Sequence, residues 1–356
     1  MYLRKKGSGK VEEKELKKIA KDLINIINRY RKLQGPIREE YKGKIEEIVK
    51  SAIEKFPQIL TFQDRYEKNI GMYSAQRGLE SIAMIALDND VASTQQDADG
   101  NNIGMFAAQS GLEDVVLKAL DNKKASIQQN VFGTNIGMYS ASKELEKATL
   151  KALENEVSAI QQNKFGANIG HYSATNGLRD ATYCALENPV TAVMQDNWGR
   201  NIGMICAIKK FDGLVIFALD NAVASTQQDN DGNNIGMHCA LNRLKFSTSK
   251  ALSNGKAAVQ QNKSKRNIGM ICASNKMEEQ TLVALKNREA AIQQAADGCN
   301  MGMICAKEGL KNLALIASSD ENASAQKDLL GKGILDYVKE YEETRKQLED
   351  PQQLLF

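Results

Sequence analysis

The tetrapeptide Asn-Ile-Gly-Met, or a near copy of it, begins at Asn69, Asn102, Asn135, Asn168, Asn201, Asn234, Asn267 and Asn300, and every interval is 33 residues. Other columns keep the same step. Glycine recurs two residues before the Asn at Gly100, Gly133, Gly166, Gly199, Gly232 and Gly298 and one period further on at Gly331, with Lys265 in its place once between Gly100 and Gly331. Alanine fills another column, at Ala86, Ala119, Ala152, Ala185, Ala218, Ala251, Ala284 and Ala317. In-phase copies of this length restrict the chain to stacked supersecondary units, because a unit this short cannot bury its apolar face alone.

One unit reads as helix, turn, helix, loop. In residues 100–132, Asn102 is placed to cap a first helix, its side-chain oxygen accepting an orphan amide of the first turn. Met105, Ala107 and Ala108 give that helix an apolar face, and Gly111 ends it. Leu112, Val115, Val116, Ala119 and Leu120 fall at helical spacing on a second helix, which Asp121-Asn122 stops. The stretch from Ser126 to Gly133, rich in Gln, Asn and Gly, is expected to be a turn or hairpin. The alanine column implies that something packs closely there, so a larger side chain would overpack. Glycine in the first helical turn, as at Gly71, Gly104 and Gly137, costs about 1 kcal/mol against alanine, and we expect a close backbone approach from the next unit to be its cause.

This unit resembles the ankyrin repeat. That family has the same 33-residue period, a turn glycine, a stretch opening the first helix, a pair of small residues, a glycine and a longer second helix. Gly100, Asn102-Ile103-Gly104-Met105, Ala107-Ala108 and Gly111 stand at those places, and Gly331-Lys332-Gly333-Ile334-Leu335-Asp336-Tyr337-Val338-Lys339-Glu340 looks like the family's end-repeat. The family's Thr-Pro-Leu-His stretch is replaced by Asn-Ile-Gly-Met in nearly every copy. The resemblance implies an all-α ankyrin-type solenoid with short hairpin loops and capping helices. It divides the chain into a basic helical extension and capping repeat (1–60), eight repeats (61–330) and a C-terminal capping repeat and helix (331–356).

The ends are expected to cover the stack. Residues 11–34 form an amphipathic pattern through Leu16, Ile19, Leu23, Ile26, Ile27, Tyr30 and Leu33, and a second helix is expected over about 37–56 with Ile45, Ile48, Val49, Ala52, Ile53 and Phe56 inward. Ile334, Leu335, Val338, Tyr341 and Leu348 are expected to close the other end. Residues 1–60 carry 16 Lys and Arg against 9 Asp and Glu, while the chain as a whole has a net charge of only +3, so the basic part is the extension. Nucleic-acid binding through that extension is an alternative, which a steep salt dependence would support; the basic loop Lys263-Ser264-Lys265-Arg266 lacks interleaved aromatics and is expected to be a solvated turn. No apolar run spans a bilayer and no apolar core follows the basic start, so neither a membrane segment nor a secretory signal is expected. Six cysteines in 356 residues are too few for a disulfide scaffold, and a cytoplasmic location is the expectation.

The reactive residue types follow the period. Cys206, Cys239, Cys272 and Cys305 share a column that holds Ser or Ala in earlier copies, which points to small-residue packing. His171 and His238 have no nucleophile or carboxylate arrangement around them in the sequence, and the glycines recur with the period instead of clustering about a phosphate. Neither catalysis nor a cofactor nor a metal is expected. Repeated pairs such as Gln95-Gln96 and Gln128-Gln129 are suited to an amide ladder that satisfies loop backbone groups. The stripe Tyr73, Phe106, Tyr139 and Tyr172 is expected in the core, with outlets for the hydroxyls.

What varies is the residue before the turn glycine. It is Phe132, Phe165 and Trp198 in three consecutive copies, and the resemblance implies that hairpin tips and the ends of first helices, on the concave face, grip a protein partner. Exposed aromatics at such tips suit interface anchors. Lys164, Asn197, Arg200, Ser142, Lys143, Thr175, Asn176 and Lys209 would form the polar rim. The expected function is a non-catalytic protein-binding scaffold. An alternative is a bacterial effector delivered into a host cell, since Glu340-Tyr341-Glu342-Glu343 with the ending Leu354-Leu355-Phe356 resembles an acidic translocation signal.

Overall fold

A computed structural model describes residues 12–30 and 35–349. The start of the chain, Leu33 and the Leu354-Leu355-Phe356 ending lie outside the described residues. Among those described, every regular element is helical and there is no strand, and no helix is long and apolar enough to cross a membrane. The chain divides into two units, Met1–Cys184 and Ala185–Phe356.

In the first unit, α1 (Glu13–Tyr30) and α2 (Gly35–Lys55) precede the pairs α3 (Ile70–Arg77) with α4 (Glu80–Leu87) and α5 (Ile103–Gln109) with α6 (Glu113–Asp121). A short α7 (Lys123–Ser126), the pair α8 (Ile136–Ser142) with α9 (Glu146–Leu153), then α10 (Glu156–Ile160) and α11 (Ile169–Asn176) follow. Helices α3, α5 and α8 each pack on their own second helix and on the first helix of the next copy, as α3 does on α4 and α5. Helix α1 rests on α3 and covers the leading end with Leu23, Ile24, Ile27 and Tyr30. In α2, Ile45, Val49 and Ile53 turn inward as expected, but Ile48 is exposed. It lies three residues from Ile45 and one from Val49, off the buried stripe by most of a quarter turn.

Helix α12 (Arg179–Glu187) runs across the division. The second unit continues with α13 (Ile202–Ile208), α14 (Asp212–Ala218), α15 (Ile235–Leu241), α16 (Lys245–Ser253), α17 (Gly255–Val259), α18 (Ile268–Ser274), α19 (Glu278–Leu285) and α20 (Arg288–Ile292). It ends with α21 (Met301–Lys307), α22 (Lys311–Ser318), α23 (Glu321–Ala325) and α24 (Ile334–Glu349). Helix α24 closes the unit by packing on α21 and α22 through Ile334, Tyr337 and Val338. Leu335, Tyr341 and Leu348, expected to cover the core, are exposed. Leu335 sits one residue, about 100°, round from Ile334, and Leu348 lies more than two turns beyond the last buried contact.

The eight-fold Asn column explains much of the local order. Asn102 is fully buried; its Oδ1 accepts from the Met105 amide at 2.9 Å, and its Nδ2 donates to the Ala125 carbonyl at 3.0 Å and to Gln128 Oε1 at 2.8 Å. One side chain thus caps the first helix and ties it to the far side of the same copy. Gln128 Nε2 in turn donates to the Thr94 carbonyl of the preceding copy at 2.8 Å. The second glutamine of each pair bridges loops: Gln96 Nε2 reaches the Gly100 carbonyl at 2.5 Å and the Gln129 carbonyl at 3.1 Å.

One element was not expected. After the second helix the chain makes a third short helical turn, as in α7, α10, α17, α20 and α23, with 3-10 turns at Ala92–Thr94, Thr191–Val193 and Ala224–Thr226. Ser126 therefore ends a helix instead of opening a loop. Its cap is a second asparagine column: Asn122 Oδ1 accepts from the amides of Lys124 and Ala125 at 3.0 and 3.1 Å. The signal was present in the sequence as Asn89, Asn122, Asn155, Asn188, Asn221, Asn254 and Asn287, spaced by 33.

The close approach at the first-turn glycines also differs from expectation. A Cβ on Gly104 would lie 2.8 Å from the Ala119 Cβ and 2.6 Å from Cδ1 of Ile136 in the next copy. Side chains, not backbone, crowd the site, and the glycine and alanine columns face each other.

The tyrosine stripe finds its outlets nine residues back, on the first residue of the hairpin. Tyr73 donates to Asp64 Oδ2 at 2.7 Å, and Asn130 and Asn163 donate to the hydroxyls of Tyr139 and Tyr172 at 3.0 and 2.9 Å. Burial pushes the Tyr73 and Tyr172 hydroxyls above the ordinary tyrosine range. In the second unit His238 meets Asp229 Oδ2 at 2.7 Å in the same relation, and Tyr337 donates to Asp328.

Asp328 is held at about 2, first by the Tyr337 hydroxyl and then by the Lys332 and Leu330 amides, against the opposing effect of burial. A depressed carboxyl stabilises the fold above its unfolded value of about 4, and that stability disappears as pH falls through about 2. Asp328→Asn keeps the amide-accepting oxygen, as Asn130 does, but loses the charge. We expect it to cost on the order of 1–2 kcal/mol at pH 6 and almost nothing at pH 2, read from urea midpoints of the two proteins across that range.

Candidate protein-binding surface

Apart from the hairpin that starts at Ala295, each begins with an Asp or Asn whose side chain folds back on the turn. Asn130 Oδ1 accepts from Phe132 and Thr134 amides at 3.0 and 2.9 Å, while Gly133 N–H donates to the Asn130 carbonyl at 2.8 Å. Four residues closed by that bond, with Asn first and Gly last, are the sequence preference of a type I turn. Gly133 sits at φ 72°, in the left-handed region that suits glycine; only Glu67 and Lys265 adopt it without one at the equivalent place. The tight turn leaves the residue before the glycine at the tip, where Phe132, Phe165 and Trp198 are exposed.

In the first unit that residue is Phe132 in one hairpin and Phe165 in the next. Both rings are 47% exposed. The two tips are paired, the Lys164 amide donating to the Phe132 carbonyl at 2.9 Å. Lys164 Nζ lies 4.1 Å from the Phe132 ring centre and 5.0 Å from that of Phe165, so one cation serves both faces. Val131, beside Phe132 and 64% exposed, enlarges the apolar surface; the sequence reading missed it, although its place next to Phe132 was the signal. Lys143 and Thr175 are exposed, and Ser142 and Asn176 half-buried, at the ends of α8 and α11. Ser142, Thr175 and Asn176 spend their polar groups on their own helices, bonding the Tyr139, His171 and Tyr172 carbonyls at 2.8, 2.7 and 2.9 Å.

In the second unit Trp198 is 54% exposed at its tip. Arg200 stacks on it at 4.9 Å and is fixed there by Asp196 Oδ2, which accepts from Nε at 2.9 Å and Nη2 at 2.7 Å. Asp196 Oδ1 meanwhile holds the amides of Trp198 and Arg200. Asn197 is exposed, with its carbonyl taken by Asn230 Nδ2 at 2.8 Å, and Lys209 is exposed at the end of α13. Each ring thus carries a cation set against one face and shows the rest to solvent.

The cysteine column is buried throughout, and burial drives the thiols of Cys206, Cys272 and Cys305 up to about 12, far from thiolate chemistry at neutral pH. His171 is buried at the start of α11, where its ring nitrogen meets Asn168 Oδ1 at 2.7 Å. Among the described residues no group of three or more His, Cys, Asp or Glu comes together in the manner of a metal site. No protein-family model matches this chain, and no curated protein matches it.

Proposed function

We propose that this chain is a non-catalytic, ankyrin-type protein-binding module, a solenoid whose hairpin tips hold another protein inside a reducing compartment such as the cytoplasm. The observation that carries the reading is the pair of half-exposed rings, Phe132 and Phe165, on adjoining tips with Lys164 seated against both. Aromatic surface held rigidly by a turn costs little ordering entropy on binding, and it is the commonest type of interface anchor. Trp198 with Arg200 offers the second unit an anchor of the same chemistry. The 33-residue period and the ankyrin-like end-repeat support the architecture.

Pull-down with the wild-type chain, followed by affinity measurement on the captured partner, tests this. Phe132→Ala with Phe165→Ala is expected to weaken binding at least tenfold, with helical signal and thermal midpoint unchanged. Trp198→Ala, measured separately, reports on the second anchor. A double variant that binds as tightly as wild type would remove the tips from the interface.

A further inference from the structure

The hairpins of each unit are joined in order by a main-chain bond. The second residue of one turn donates its N–H to the carbonyl of the tip before it: Ala98 to Tyr66 at 3.1 Å, Val131 to Asp99 at 2.9 Å and Lys164 to Phe132 at 2.9 Å in the first unit. The fit is tight, since a Cβ on Gly100 would fall 2.9 Å from the Asn130 Cα. At the first hairpin the series is open. Arg65 is the equivalent donor, and among the described residues no tip precedes it and its N–H meets no acceptor.

A groove of about 580 Å³ lies between α1 and the first hairpin, with Arg65 in its lining. Ala20, Ile24 and Phe62 contribute apolar floor, and Lys17, Lys21 and Arg65 stand along the rim. The lining has one carboxylate, Asp64, and it is committed inward: Oδ1 accepts from the Tyr66 and Lys68 amides and Oδ2 from the Tyr73 hydroxyl. Lys17 is paired with Glu13 at 2.6 Å, whereas Lys21 is exposed and unpaired among the described residues. The groove therefore presents a backbone donor, an apolar floor and an excess of positive charge.

We propose that this groove binds an acidic turn or extended segment of a partner protein, which completes the hairpin series by offering a backbone carbonyl to Arg65 N–H and carboxylates to Lys17 and Lys21. The chain itself supplies the template. The tip at residues 97–100 reads Asp-Ala-Asp-Gly, and its Asp99 carbonyl is the natural acceptor of this bond in the next copy. The site is separate from the aromatic tips, so either reading can fail without the other.

The probe is a fluorescein-labelled cyclic peptide of the sequence of residues 95–102, titrated by polarisation against the full chain. Arg65 occupies the second position of a type I turn, where proline is favoured, so Arg65→Pro deletes the donor with the turn kept. Arg65→Ala removes the charge and keeps the N–H. We expect Arg65→Pro to bind several-fold to tenfold more weakly than Arg65→Ala, the effect of one main-chain hydrogen bond. Lys17→Gln with Lys21→Gln should weaken the wild-type complex and flatten its salt dependence. The proposal is overturned if the probe does not bind at millimolar concentration, if the proline and alanine variants bind alike, or if a probe with lysine at both aspartate positions binds equally well. Self-association of the chain that the probe disperses would assign the groove to a second copy and overturn it too. Circular dichroism of each variant guards against loss of fold.

Discussion

Replacing Gly104 with alanine should destabilise the first unit by about 1–3 kcal/mol, although alanine is the better helix former by about 1 kcal/mol. The reason is geometric. The new methyl would stand 2.8 Å from the Ala119 Cβ and 2.6 Å from Ile136 Cδ1, inside any real carbon–carbon contact. Ile136 can move its chain end slightly, but Ala119 is anchored on α6 and has nowhere to go. Valine, with two further carbons, should be worse still and should shift the neighbouring copy. The decisive measurement is the double variant Gly104→Ala with Ala119→Gly, which exchanges the two sizes across the same gap. Each single change is expected to lower the urea midpoint, and the pair to recover part of the loss, with a coupling energy on the order of 1 kcal/mol. Strict additivity would mean that the two columns do not share one contact.

That coupling was half legible in the sequence. The alanine column announced a close neighbour, and the glycine column announced another, but nothing along the chain says that they meet each other, because facing requires the relative rotation of α5 and α6. Helical pairs were readable from Asn102, Gly111 and the spacing of Val115, Val116 and Ala119. The third turn is hidden for a different reason: Asn122 reads as a stop signal, and the same residue also starts the next helix. Asparagine serves both purposes, since its side chain competes for backbone amides wherever a helix breaks. Ile48 and Leu335 show the limit of counting apolar residues near a chain end, where only the stripe facing the last stacked copy has anything to cover.

Of the candidate site, the tips were legible and their chemistry was not. The turn glycine fixes Phe132, Phe165 and Trp198 at exposed positions through a local rule. Seating Lys164 between two rings depends instead on the pairing of consecutive hairpins, and fixing Arg200 on Trp198 depends on an aspartate already engaged with the turn backbone. The distance of four residues between Asp196 and Arg200 gives no sign of this, because the turn, not a helix, brings them together.

The largest loss of stability is expected at Asn102, and a series of three substitutions separates its two tasks. Serine caps a helix as well as asparagine does but cannot donate to Ala125 and Gln128. Asn102→Ser should therefore keep the Met105 bond but leave the half-buried Gln128 Oε1 without this donor and the Ala125 carbonyl with the Gln128 amide at 3.3 Å, at a cost of roughly 2 kcal/mol. Asn102→Ala loses the cap as well and should cost about 3 kcal/mol or more. Gln128 cannot rescue either variant by turning its amide over, because its Nε2 is already bonded to Thr94. Asn102→Asp keeps the cap but aims an oxygen at two oxygens. Above pH 5 it should be no more stable than the alanine variant. Protonated, the same carboxyl can donate to one of them, so its folded pKa is raised above the unfolded value of about 4. A raised carboxyl stabilises the fold below the unfolded value and loses that contribution as pH rises. The aspartate variant alone should therefore gain in urea midpoint, relative to wild type, as pH is lowered from 6 to 4. A gain shared equally by the serine variant would show that the acceptors at Ala125 and Gln128 are not what Asn102 serves.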